Sequence, residues 1–203
     1  MRCFAAPNHR EAFDSVSVII ALRQKKYHSK NREKRGKEEN LLVCLSGALY
    51  NEEQKTNGSG IGMKYEVWIT VRGEQHYAGA DPDRTELTVP GTLEKTESGW
   101  LLTYQETEAT GLEGTCTALR IGPERTILRR SGSLNSEMVF ETGKPHTSLY
   151  ELPYGALTVD IRTESVRHRL SEQGGVLEIR YHMEVERRLS SRNCLKIQIK
   201  RKK

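Results

Sequence analysis

From Met63 onward the chain alternates apolar and polar residues with a period of two, and this rhythm constrains its fold more than any other feature. KYEVWITVR (64–72) places Tyr65, Val67, Ile69 and Val71 on one parity and Lys64, Glu66, Thr70 and Arg72 on the other, with Trp68 as the exception. Successive side chains of a strand point to opposite faces, so the pattern is that of a strand with one buried face. VLEIRYHMEVE (176–186), CLKIQIK (194–200) and LTVDIRT (157–163) repeat it. Further strands are expected over 85–96, 99–107, 114–121, 124–130 and 135–141, separated by the turn-forming runs ESG, TGLEG, GPE and SGS, with EQGG at 172–175. No amphipathic helix is expected after residue 63. One face stays polar nearly throughout, which favours a single sheet closed on itself. The expectation is an all-β, antiparallel up-and-down barrel of about 8–10 strands over residues 63–203.

Residues 1–62 read differently. Two apolar patches flank a charged run, and NEEQKTNGSGIG reads as a linker, so a disordered or marginally helical extension is expected. Met63 opens the first strand directly, and a translation start placed too far upstream is the rival account of this segment. The net charge of +5 belongs mainly to it: residues 1–62 carry +4 and the alternating part only +1. The basic runs at 23–37 and at the end of the chain read as solvated tails, so nucleic-acid binding is not expected. No apolar run is long enough to span a bilayer, and neither SVSVIIAL nor LLVCLSGAL has the flanks of a signal, so a cytoplasmic protein is expected. The four cysteines are scattered without a CxxC pair, and His168 and His182 lie on other strands than His146. No metal or other cofactor is expected.

The stretch ETGKPHTSLYELPYGAL (141–157) is where function is best sought. It gathers His146, Tyr150 and Tyr154 between a Gly143-Pro145 turn and a Pro153-Gly155 bend, which would bring them to a corner or mouth of the barrel. Parity adds Tyr104 and Glu106 on one strand and Arg130 on another. Were those faces to point inward, Glu106 and Arg130 would need partners, because a lone buried charge costs several kcal/mol by the usual rough estimate.

Several of these pieces also carry a resemblance: Tyr104-x-Glu106, Arg130-x-Gly132, Ser136-x-Met138-x-Phe140, and Gly143-x-x-His146-x-x-x-Tyr150-x-x-Pro153-Tyr154-Gly155. Over about residues 63–200 the chain resembles the YwiB family, small bacterial proteins of unknown function. The resemblance implies a calycin-like barrel related in shape to lipocalins, and no reaction.

The leading functional expectation is a non-enzymatic barrel that binds a small molecule or partner through Tyr104, Glu106, Arg130, His146, Tyr150 and Tyr154. A purely structural polar network is the commoner use of such residues, and would leave an interaction module working through a sheet edge or the basic leader. The enzymatic alternative uses Glu106 and His146 as acid and base and Arg130 as a clamp on a small anionic substrate. No GxSxG, HExxH, P-loop or GxGxxG pattern supports it. The ligand's identity and the oligomeric state, a homodimer among the options, stay open.

Overall fold

A computed structural model describes residues 63–152, 155–187 and 189–203. The extension 1–62, whose disorder or helicity the sequence left as an expectation, and Tyr154 lie outside the described residues. The alternating part forms ten strands: β1 (Lys64–Tyr77), β2 (Asp83–Thr96), β3 (Gly99–Gln105), β4 (Thr115–Ile121), β5 (Arg125–Gly132), β6 (Asn135–Glu141), β7 (Pro145–Leu152), β8 (Gly155–Ser171), β9 (Gly174–Val185) and β10 (Leu189–Arg201). A single 3-10 turn, Glu108–Thr110, interrupts them among the described residues.

Each strand pairs antiparallel with its chain neighbours, and β1 pairs with β10 from Val67↔Arg201 to Tyr77↔Ser191, so the meander closes into a barrel. Closure removes the free edges that an open sheet of this size would expose. The apolar parity faces inward. Val67, Ile69, Leu93, Leu102, Leu119, Ile121, Phe140, Ile161, Leu177 and Ile179 are at most 1% exposed, each such burial contributing roughly 1.5–3 kcal/mol. Trp68, the exception in the sequence pattern, keeps the polar parity: it stands on the outer wall, half exposed, with Lys202 Nζ 4.9 Å from its ring centroid.

Three strands run further than their alternation suggests. β1 continues past Gly73 to Tyr77, paired with β10 throughout, and Gly73 is a close-packing position within it, where a Cβ would lie 2.8 Å from Thr85 Oγ1. β8 continues past Thr163 to Ser171 through a bulge between Thr163 and Ser165, which shifts the inward set from odd to even residues. β10 begins at Leu189, five residues before the first apolar-polar repeat of CLKIQIK.

The interior is divided along its axis. At the rim where β1 begins, near the β2–β3, β4–β5, β6–β7 and β8–β9 hairpins, the lining is dominated by Leu, Ile, Val and Phe. Toward the opposite, distal end, near the β1–β2, β3–β4 and β5–β6 connections, polar groups join the lining: Gln75, Glu106, Thr115, Thr117, Ser136, Ser191 and Asn193 are all buried there, beside Leu112, Leu134 and Val185.

Candidate functional site

One row of the sheet builds the distal site. Tyr104 on β3 is opposite Thr117 on β4, Thr117 is opposite Arg130 on β5, Arg130 is opposite Ser136 on β6, and Ser136 is opposite Tyr150 on β7. All five have the inward parity of their strands, and directly opposed Cβ atoms stand about 5 Å apart. Glu106 follows Tyr104 on the same parity and is anchored by its own N–H, which donates to the Thr115 carbonyl at 2.9 Å.

The centre of the row is the Glu106 carboxylate. Thr117 Oγ1 donates to Oε1 at 2.6 Å, and Arg130 Nε lies 3.7 Å from the same oxygen. The second distance is that of an ion pair rather than a hydrogen bond. The Glu106 and Arg130 side chains are 3% and 13% exposed, so the two opposite charges face each other with little water between them. Burial, followed by the Glu106 carboxylate, pushes the Tyr104 hydroxyl well above the usual phenol range, while Arg130 pulls the other way. Tyr104 therefore remains a neutral phenol. Tyr150, 1% exposed, donates its hydroxyl to Met138 Sδ at 2.7 Å.

Two further hydroxyls are left over. Ser136 Oγ and Thr115 Oγ1 have no hydrogen-bond partner among the described residues, although the residues are only 7% and 0% exposed. Elsewhere in the distal lining, Gln75 Nε2 and Asn193 Nδ2 both donate to Ser191 Oγ, at 3.1 and 3.0 Å.

His146 belongs to a different cluster. Its parity is also inward, but it precedes Tyr150 by four residues, about 13 Å along β7 toward the opposite rim. There its Nε2 lies 3.4 Å from Glu141 Oε2, and Lys144 Nζ lies 2.5 Å from Glu141 Oε1. Lys144, and secondarily His146, hold the Glu141 carboxyl below the usual range. The fold thus assembles Tyr104, Glu106, Arg130 and Tyr150 and leaves His146 apart. Glu106 and His146 are not brought together as the acid and base of one site. A depression of roughly 300 Å³ on the outer wall, lined by Pro145, Asp160, Arg162, His182, Glu184 and Ser190 among others, contains none of the residues expected to bind.

Comparison with known proteins agrees with this architecture. The model of a family described as a domain of unknown function, DUF1934, matches residues 69–197. The chain belongs to the DUF1934 family. Among solved structures it is similar to the ywiB protein from Bacillus subtilis, with a TM-score of 0.57 and 18% identity over 66% of this chain and 92% of that one. At that identity the likeness shows the fold, and it agrees with the resemblance read from the Tyr104, Arg130 and Gly143–Gly155 motifs. No curated protein matches the chain.

Thr115 and Thr117 were not singled out from the sequence, and Ser136 entered only through the Ser136-x-Met138-x-Phe140 motif and not as a site residue, although the signal was there. Thr115 and Thr117 share parity with Leu119 and Ile121, and Ser136 shares it with Met138 and Phe140. Gln75, Ser191 and Asn193 gave no such signal, since each lies beyond the end of its legible alternation.

Proposed function

We propose that the barrel is a non-enzymatic binding protein whose polar distal interior holds a small molecule. The carrying observation is the pair of buried hydroxyls, Ser136 Oγ and Thr115 Oγ1, that have no hydrogen-bond partner among the described residues and lie beside a buried Glu106–Arg130 pair. Buried polar groups in folded proteins almost always have partners, and one left over calls for a ligand or an ordered water. Tyr104 and Tyr150 add aromatic surface on either side of the row, suited to holding a ring or another flat group. An enzymatic reading loses its acid–base pair, because His146 pairs with Glu141 instead.

The test is native mass spectrometry of the full chain purified from its own host, wild type beside Ser136→Ala and Thr115→Val. The wild type should carry a bound mass that both variants release more readily at equal collision energy. A wild type that flies at its sequence mass in every preparation would assign the cluster to structure alone.

A further inference from the structure

The site's charge balance points to a ligand class. We infer that the distal interior selects an uncharged, hydrogen-bonding molecule and discriminates against both anions and cations, because Glu106 and Arg130 cancel each other and everything else that lines the row is neutral. The inference rests on the reading of this end as a ligand site.

Arg130 taken alone would suggest an anion clamp, since a guanidinium matches carboxylate and phosphate geometry. Its environment removes that role. Glu106 Oε1 stands 3.7 Å from Arg130 Nε, and with side chains 3% and 13% exposed there is little water to screen one charge from the other. An anion entering beside Arg130 would also enter beside Glu106, in a medium where an uncompensated charge is costly. A cation meets the same obstacle from the Arg130 side. Around the pair stand the hydroxyls of Thr115, Thr117 and Ser136 and the phenols of Tyr104 and Tyr150. The distal lining continues in Gln75, Ser191 and Asn193, which are neutral as well. Asp83, opposite Gln75, carries a charge but is half-buried at the distal rim, where water reaches it.

The unsatisfied atoms fit the same class. A hydroxyl can donate one hydrogen bond and accept two, so Ser136 Oγ and Thr115 Oγ1 match a carbonyl, amide or alcohol without bringing charge. Sites built from buried hydroxyls reject analogues that leave them unpaired far more strongly than apolar pockets reject a change of size.

Three isosteric probes separate the charge classes: benzamide is neutral, benzoate anionic and benzamidinium cationic. Their dissociation constants for the full chain, measured by ligand-observed NMR, should rank benzamide tightest by about tenfold over either ion. Glu106→Gln removes the negative charge 3.7 Å from Arg130 Nε, so in that variant benzoate should overtake benzamide. A structural role for the pair would not reverse a ranking of ligands. Should Glu106→Gln fail to fold, Ser136→Ala serves: it should weaken benzamide and leave the two ions equally poor. A wild type that prefers benzoate or benzamidinium overturns the neutral class while leaving the binding reading intact. A wild type that binds none of the three up to their solubility limits overturns the binding reading itself.

Discussion

Arg129 and Arg130 are chain neighbours held in opposite environments. Arg129 lies on the outer wall, where Nη2 meets Glu137 Oε2 at 2.5 Å with both side chains more than 40% exposed, whereas Arg130 turns inward to Glu106. Two ion pairs one residue apart thus sample water and the barrel interior, and their contributions to stability should differ accordingly.

Glu106→Ala removes the carboxylate that faces the Arg130 guanidinium in the interior, and breaking a buried pair in this way costs about 3–5 kcal/mol. Glu137→Ala breaks the outer pair and should cost about 1 kcal/mol or less. Urea unfolding of the two variants measures the contrast directly. Equal costs would mean that Arg130 reaches water as freely as Arg129.

Ser136→Ala removes a buried hydroxyl that has no partner among the described residues. Because no hydrogen bond is lost, the ligand-free variant should match or slightly exceed the wild type in stability, whereas a typical buried hydroxyl would cost roughly 1 kcal/mol on removal. Thr117→Val is the control: its hydroxyl donates to Glu106 at 2.6 Å, and its loss should destabilise by about 1.5–3 kcal/mol, the range for a bond to a charged acceptor. Thermal unfolding after refolding from denaturant, which strips any ligand, reports both.

Glycine positions separate backbone strain from steric conflict. Gly175 has φ +147°, and a Cβ there would fall 1.9 Å from the Arg169 carbonyl oxygen, so Gly175→Ala should cost roughly 3 kcal/mol or more as the β8–β9 pairing gives way. Gly79 has φ +77° with open space around it, so Gly79→Ala should cost only about 1–2 kcal/mol, the price of a left-handed residue. Denaturant midpoints with unchanged slopes would verify the ordering.

Lys144 sets the pH behaviour of the β6–β7 hairpin. Its ammonium, hydrogen-bonded to Glu141, and to a lesser degree His146, depress the Glu141 pKa in the folded chain. A depressed carboxylate stabilises the fold above the unfolded glutamate pKa, and that contribution is lost as pH falls through the lower folded value. Lys144→Met should therefore raise the Glu141 pKa toward the ordinary range and make the hairpin less sensitive to acid below it. Carboxyl NMR titration of the two proteins reads the shift.

Much of the fold was legible because a half-buried strand writes its two faces into alternate residues. Val67, Leu102, Leu119, Phe140 and Ile179 point inward as their parity required, and Gly143 takes the positive φ expected of it, +81°. Legibility failed where the rhythm breaks for a local reason. The bulge at Thr163 and Ser165 reverses parity and hides the second half of β8, and Gly73 mimics a strand end while packing against Thr85. The candidate site was legible in part. Parity put Tyr104 and Glu106 on one face and Arg130 on the face of Thr126 and Leu128, and left inward as a condition that the fold meets, but proximity along the chain grouped His146 with Tyr150, and distance along an extended strand separates them. Alternation carries orientation and not height, so only the register of neighbouring strands could show that Arg130 stands level with Tyr150 and that His146 stands level with the opposite rim.

The most direct measurement is a crystal structure of the full chain purified from its own host, at a resolution that distinguishes water from larger molecules. Density too large for water, in contact with Ser136 Oγ and within reach of the Glu106–Arg130 pair, is the result expected of a ligand-binding barrel. Ordered water alone on Ser136 and Thr115, in protein never exposed to denaturant, would contradict it and assign the polar end to structure.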